Sequence, residues 1–290
     1  MKKVLRGVVF LFVIAIGGQL LFSGILSAAE PDKIVQAGAT LTVAESKRLI
    51  GKAVAQMPIV KNALANGMVI IIKGTTNRYV AEEITGQKIV PAEFATGRLM
   101  PKQPELLPKG KTINHVILEK GKIVDIPLPD AAKKLKPGDV VMKGANALDY
   151  KKKLAACNIM VGPLPGFVQG PDGGSTGMTM PSIVARKVHL VIPVGLEKQV
   201  AGDIVDLTLK MREPMESLNV LPSMWLLTGE IVTELEAIKM LTGATAFEAN
   251  AGGVAGAEGG RWFVFRGTRD QVEKALELAK SVKGEPPYTE

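Results

Sequence analysis

Several hydrophobic runs along the chain have no alternation with polar residues. A continuous β-branched run of this kind predicts a strand that is buried on both faces, as in a parallel sheet flanked by helices. The four runs are Met68–Lys73, Asp139–Lys143, Asn158–Val161 and Val188–Ile192. A hairpin of Asn114–Glu119 and Lys122–Ile126 is expected between the first two runs, because Lys120-Gly121 is typical of a turn.

The segments before the first run have a helical pattern. Thr42 and Glu45 have the spacing of a capping box, in which each side chain bonds the backbone N–H near the other. We therefore predict a helix over Val43–Ala55 and a second, shorter helix over Ile59–Ala65. The predicted fold class is α/β, with a mostly parallel sheet flanked by helices and an inserted antiparallel hairpin.

The pattern changes near residue 223. The expected elements are a strand, a helix, two strands and a final helix after the capping box of Thr268 and Gln271. The first four are Met224–Leu227, Glu230–Leu241, Ala246–Ala249 and Trp262–Arg266. This βαββα order predicts a C-terminal ferredoxin-like α+β unit that lacks its last strand.

The amino-terminal residues have the layout of a secretory signal. Basic residues precede an apolar stretch from Val8 to Leu26, and the small residues Ser27–Ala29 follow it. We expect an exported protein, periplasmic or anchored on the extracytoplasmic side if the segment is retained. The predicted division is residues 1–29 as signal or anchor, 30–222 as an α/β ligand-binding domain, and 223–290 as the ferredoxin-like domain.

Composition excludes some classes of protein. The chain of 290 residues is 47% hydrophobic and 22% charged, which excludes intrinsic disorder, and its lone Cys157 excludes a disulfide scaffold. The net charge is +8, but no aromatic residues are interleaved with the basic runs to stack on bases. Nucleic acid is therefore not an expected partner. No spacing of His, Cys and Asp indicates a metal site, and we interpret His115 and His189 as core or surface residues.

Candidate chemistry lies where the predicted strands end, since ligands of open α/β sheets bind outside the carboxyl ends of the strands. The first such end is Lys73-Gly74-Thr75-Thr76-Asn77, which opens a predicted helix. Glycine lets the backbone approach an anion, while hydroxyls and helix N–H groups donate to it and lysine adds charge. This segment is therefore a candidate phosphate or carboxylate site, and a capped turn without a ligand is the alternative.

Two further strand ends bring more polar residues. One contains Lys143, Gly144, Asn146 and Asp149, and the other leads to Gly173-Gly174-Ser175-Thr176. Lys143 could stabilise charge while Asp149 serves as general acid and base beside a carbonyl. For Asp149 alone, capping of a following helix explains the residue as well.

The same segments resemble a known superfamily. Ile72–Asn77 followed by Glu82-Glu83-Ile84 looks like the first phosphate-binding turn of ribose-5-phosphate isomerase and its relatives. Asp139–Leu148 is similar to the strand and loop that carry a functional lysine in that group, which includes glucosamine-6-phosphate deaminases and CoA transferases. The resemblance covers residues 40 to 200. It implies that Thr75, Thr76 and Asn77 bind an anionic group and that Lys143 lies near the reacting carbon.

Two functions remain open at this point. The first is binding of a small anionic metabolite at these strand ends, with or without isomerase- or transferase-like activity and with no cofactor. The second is a non-catalytic exported binding or assembly protein whose C-terminal domain mediates homo-oligomerisation. Contact with a membrane is expected only through the amino-terminal segment, if that segment is uncleaved.

Overall fold

The computed structural model of the chain describes residues 33–95, 114–159, 173–218 and 221–288. The predicted signal segment lies outside these ranges. So do residues 160–172, which include the last two residues of the predicted strand Asn158–Val161. The twelve described strands are β1 Val35–Leu41, β2 Met68–Ile71, β3 Val116–Glu119, β4 Lys122–Ile123, β5 Val140–Met142, β6 Ala147–Asp149, β7 Leu154–Ile159, β8 His189–Pro193, β9 Ser223–Leu227, β10 Glu230–Val232, β11 Thr245–Gly252 and β12 Gly260–Gly267.

Nine α-helices connect these strands within the described ranges. They are α1 Val43–Gln56, α2 Pro58–Asn66, α3 Thr75–Thr85, α4 Pro91–Phe94, α5 Leu128–Lys134, α6 Gly174–Arg186, α7 Ile204–Lys210, α8 Glu234–Thr242 and α9 Arg269–Ser281. A 3₁₀ turn, Leu196–Lys198, follows β8. Among the described helices, none has the length and apolar character needed to cross a membrane.

A six-stranded mixed sheet forms the centre of the α/β fold. Its strand order is β10-β8-β5-β2-β3-β4, with the first four strands parallel and the hairpin of β3 and β4 antiparallel at one side. Val69, Ile70 and Ile71 are fully buried in β2, as expected for a strand covered on both faces. The predictions of three parallel strands and of the hairpin are confirmed.

The fourth predicted parallel strand lies elsewhere. β7 belongs to a separate three-stranded sheet of order β6-β7-β9, and it pairs antiparallel with both neighbours. The expectation that this run joins the parallel sheet was wrong. A buried apolar run specifies that both faces are covered, but it does not specify which strands lie beside it.

The third sheet joins the two ends of the described chain. Its order is β1-β12-β11, and β1 pairs antiparallel with β12 along its whole length, from Val35 opposite Gly267 to Leu41 opposite Arg261. Helix α9 packs on this sheet, and α8 packs against α9 and β11.

The chain after residue 222 also contributes strands to the other two sheets. β9 pairs with β7, and β10 pairs in parallel with β8 at the edge of the six-stranded sheet. Residues Glu230–Val232 are thus a strand, and the predicted helix begins only at Glu234. Hydrogen-bonded strand pairs therefore cross the expected domain boundary, and the division at residue 222 stays a prediction.

The predicted capping boxes are present at both expected helices. Thr42 with Glu45 begins α1, and Thr268 with Gln271 begins α9. A third box, of Thr233 and Glu236, begins α8. At each of these helix starts, side chains of the box accept hydrogen bonds from backbone N–H groups of the first turn and of the cap residue.

Candidate functional site

The carboxyl ends of the four parallel strands meet at one edge of the six-stranded sheet, as parallel pairing requires. We call this the carboxyl edge: the residues that directly follow β2, β5, β8 and β10. The antiparallel β3 begins at the same edge, because Val116 pairs with Ile71. His115, Lys73 and Lys143 are therefore brought to neighbouring positions.

Asn77 links two of these strand ends. Its Nδ2 donates to the carbonyl oxygen of Ile72 at 2.8 Å and to that of Met142 at 3.0 Å, so the amide bridges the ends of β2 and β5. The side chain is fully buried, and its Oδ1 has no hydrogen-bond partner among the described residues. An unsatisfied buried carbonyl oxygen is costly and indicates a group that takes part in binding or in a strained arrangement.

Lys143 is a buried cation. Its residue is 6% exposed, and its Nζ lies 3.2 Å from Ser175 Oγ at the start of α6. Within the described part of the chain Lys143 forms no ion pair. An ammonium group is rarely buried without a compensating negative charge, because its desolvation costs several kcal/mol.

The pKa of His115 reflects the charge of this region. Burial, together with the positive charges of Lys73 and Lys143, lowers the pKa of His115 to about 4. Its Nδ1 accepts a hydrogen bond from the backbone N–H of Lys73 at 3.0 Å. Burial also lowers the pKa of Lys73. The group of Lys73, His115, Lys143 and Ser175, which we call the cationic cleft, is thus positive and partly buried.

Two helices begin at this cleft without a side-chain cap. Helix α3 follows Gly74, and α6 follows Gly173; neither has a side-chain hydrogen bond at its cap position in the described chain. Gly173 and Gly174 have φ of 75° and 60°, a backbone conformation that suits glycine. The first N–H groups of a helix have no partner within it and attract anions.

The other predicted site residues have defined positions. Thr76 and Thr176 are buried in the first turns of α3 and α6, while Thr75 lines a pocket of about 370 Å³ between α1, α3 and Gly284–Tyr288. Asn146 Oδ1 accepts from the backbone N–H of Asn158 at 3.0 Å, and Gly144 O accepts from Cys157 Sγ at 3.1 Å.

Asp149 lies apart from these groups. It ends β6 in the separate β6-β7-β9 sheet, and its Oδ1 accepts from the backbone N–H of Lys152 at 3.0 Å. The carboxylate therefore caps the tight turn between β6 and β7, and no helix follows there. This contact fits a capping role for Asp149 better than an acid–base role.

Burial raises the pKa of the Cys157 thiol. The described residues contain no cluster of three His, Cys, Asp or Glu side chains that could hold a metal ion.

Comparison with known proteins found no matching family model, no matching curated protein and no matching solved structure.

Sequence reasoning missed a second group of residues at the carboxyl edge. Glu197 follows β8, and Glu234 follows β10. The position after β8 was recognisable, because Val188–Ile192 was predicted as a parallel strand. Glu234 could not be placed in this way, since Glu230–Val232 was assigned to a helix. His115 was also missed as a neighbour of the two lysines, because its position depends on the pairing of β3 with β2.

Proposed function

We propose that this protein binds a small anionic metabolite in the cationic cleft. The observation that carries the proposal is the burial of Lys143 without an ion-pair partner among the described residues, where its side-chain neighbours are the Ser175 hydroxyl and the Cys157 thiol. A bound carboxylate or phosphate would supply the missing counter-charge, and charge-assisted hydrogen bonds to it are stronger than neutral ones.

Three further features support an anion as the ligand. The uncapped starts of α3 and α6 lie at this cleft, and helix N-termini favour negative charge. His115 is held neutral beside Lys73, so it can donate through its other ring nitrogen. The helices α1, α8 and α9 are capped by their own threonines, whereas α2, α4 and α5 begin without a side-chain cap and have proline in the first turn.

The activity we propose is isomerase- or transferase-like chemistry on such a metabolite, in an exported protein of the ribose-5-phosphate-isomerase-like superfamily. This finer proposal is supported by the residues that resemble that group and by the position of Lys143 directly after a central parallel strand. A C-terminal ferredoxin-like unit belongs to the same proposal. Its support is the pair of strands β11 and β12 with helices α8 and α9, although β9 pairs with β7 and β1 pairs with β12.

The alternative, an assembly protein without catalysis, is supported by one surface. Trp262 and Phe247 are 47% and 43% exposed on the β1-β12-β11 sheet. Large exposed aromatic side chains on a sheet are typical of contact surfaces. A light-scattering mass that is unchanged by Trp262→Ser would count against this alternative.

The cleft can be tested through its histidine. The chain has two histidines, so the ring protons of His115 and of the exposed His189 can be followed separately by NMR. Phosphate or citrate bound near Lys143 should raise the midpoint of the His115 titration, because negative charge favours imidazolium. His189 serves as the internal control.

Matched variants make this experiment specific. In Lys143→Met the anion effect on His115 should disappear, whereas Lys274→Met, an exposed change on α9, should leave it intact. An equal anion effect in Lys143→Met would place the anion elsewhere. If neither anion moves His115 in the unsubstituted protein, the proposed anion site is wrong.

A further inference from the structure

A second charged group lies at the carboxyl edge, on the far side of β5 from β2. Glu234 is 1% exposed and begins α8, and Glu197 lies in the turn after β8. Both carboxylates face Gly195: a Cβ added to this glycine would collide with Glu197 Oε2 and lie 3.2 Å from Glu234 Oε1. The two acids are therefore close neighbours, and the absence of a side chain at residue 195 makes room for them.

The pair has few compensating contacts. The backbone N–H of Leu196 donates to Glu234 Oε2 at 3.0 Å, and Lys47 Nζ lies 3.5 Å from Glu197 Oε1. Both oxygens of Glu197 are buried, and neither accepts a hydrogen bond from the described residues. Among the described residues Glu197 has one ion-pair partner and Glu234 has none, so a proton shared by the two carboxyl groups would relieve their repulsion.

Other charged groups also lie near the pair, and two of them bond other residues. Arg261 bonds the carbonyl oxygen of Leu196 at 2.7 Å and pairs with Glu248, while Glu236 on α8 bonds Lys153. Lys198 lies near Glu197, but burial lowers the pKa of this lysine. Lys198 is therefore a second lysine near Glu197, and its charged form is disfavoured by burial and favoured by that carboxylate.

A buried hydroxyl lies beside the same carboxylates. Ser46 on α1 is 1% exposed and its Oγ has no geometrically acceptable partner among the described residues, yet it lies near Glu234. Burial and the negative charge of Glu197 raise the pKa of Glu234 to about 7. Two carboxyl groups held together in this way titrate as a pair, with one proton retained to higher pH.

We infer that Glu197 and Glu234 form a carboxyl pair that shares one proton and exchanges it with the metabolite bound in the cationic cleft. The inference rests on the proposed function, which supplies the metabolite. Glu234 follows the strand two positions from the strand of Lys143, a spacing of roughly 10 Å. An anionic metabolite of several carbons can span this distance, with its anion at Lys143 and an ionisable C–H or O–H at the pair.

The proton count closes over one turnover. The pair removes a proton from one atom of the metabolite and returns a proton to another, so it ends with the proton that it held at the start. The class of ligand that this chemistry fits is an anionic hydroxy-carbonyl compound, whose C–H and O–H protons can both be exchanged. Glu197 and Glu234 take the acid–base role for which the sequence had suggested Asp149.

The shared proton can be measured directly. In protein labelled with ¹³C at the glutamate carboxyl, one resonance should titrate with a midpoint near pH 7 and should be absent in Glu234→Gln. In Glu197→Gln that midpoint should fall by about one pH unit, because a neighbouring negative charge is removed. If every glutamate titrates below pH 6, or if Glu197→Gln leaves the midpoint unchanged, no proton is shared.

Exchange with a ligand requires that the proton can be reached. A small diazoacetamide esterifies protonated carboxyl groups, forming the ester and releasing N₂, and peptide mass spectrometry locates the product. At pH 6.5 we expect esterification at Glu197 or Glu234, with an about tenfold loss at pH 9 and in Glu234→Gln. Glu236 should remain unmodified as the control.

Both measurements are independent of anion binding at Lys143, so their failure can be distinguished from failure of the proposed function. A proton that is seen by NMR without esterification would show a sealed structural pair, and it would overturn the inference.

Discussion

The two ends of the carboxyl edge carry opposite chemistry on the same sheet. At the ends of β2 and β5 the cationic cleft combines Lys73, His115 and Lys143 with two uncapped helix starts. At the ends of β8 and β10 the pair of Glu197 and Glu234 lies beside helices that their own threonines cap. The residue that follows a strand thus determines the local charge, and the net charge of the whole chain predicts neither end.

The largest expected effect is on stability, and it distinguishes a glycine at the acidic end of the carboxyl edge from one at the cationic end. Gly195→Ala should lower the free energy of unfolding by about 1–3 kcal/mol, because its Cβ would collide with the buried carboxylate of Glu197. In Gly144→Ala the new Cβ would lie 3.8 Å from Pro193 O, an ordinary contact, so stability should change by less than about 0.5 kcal/mol. Urea unfolding of both variants measures the difference, and equal losses would contradict the close approach at Gly195.

The next effect separates stability from binding at Lys143. Without ligand, the free energy of unfolding of Lys143→Met should be about 1–2 kcal/mol higher than that of the unsubstituted protein, because a buried charge is removed. The stabilisation by added phosphate or citrate should be lost at the same time. Thermal melts with and without anion give both quantities. A variant that is strongly destabilised without ligand would indicate a structural role for this lysine.

A smaller effect is expected from the pH dependence of the acidic end. The pKa of Glu234 is raised to about 7 from its ordinary 4.5, so the folded state binds more protons between these values. The stability from this group is complete below pH 4.5 and is lost as pH rises through 7. Glu234→Gln should therefore flatten the fall in melting temperature between pH 5 and pH 8. An unchanged slope would remove Glu234 as its cause.

The smallest effect belongs to the cationic end and has the opposite sign. The pKa of His115 is lowered to about 4 from 6.5, so the folded state binds fewer protons in this range. Its contribution to stability is complete above pH 6.5 and is lost as pH falls through 4. In His115→Gln the acid-side loss of stability should become shallower, which chemical unfolding at pH 4, 5 and 6.5 would detect. A steeper loss would contradict the assignment.

Much of the fold could be predicted from local patterns in the sequence. The buried runs at β2, β5 and β8 and the capping box of Thr42 and Glu45 each depend on residues close together in the chain. β1 left a recognisable signal, because Val35, Ala37, Ala39 and Leu41 alternate with more exposed residues. Its partner, β12, is distant in sequence, so the pairing itself could not be predicted.

The candidate site was predictable only where it follows a correctly predicted strand. Lys73 and Lys143 were found because β2 and β5 were found. Glu234 was missed because Ile231 fits the helical spacing of Leu235 and Ile238, although it lies in β10. The approach of Glu197 to Glu234 depends on the parallel pairing of β8 and β10, a tertiary feature that no local pattern encodes.

The pairing of β1 with β12 also determines the order in which the protein can assemble. Val35 is synthesised early and its partner Gly267 late, so this sheet cannot close until nearly the whole described chain is available. Closing so long a loop is slow, and until then β1 remains an unpaired strand. The first of the described strands to be synthesised is therefore among the last to be paired, whereas the β2, β5 and β8 pairs are complete by residue 193.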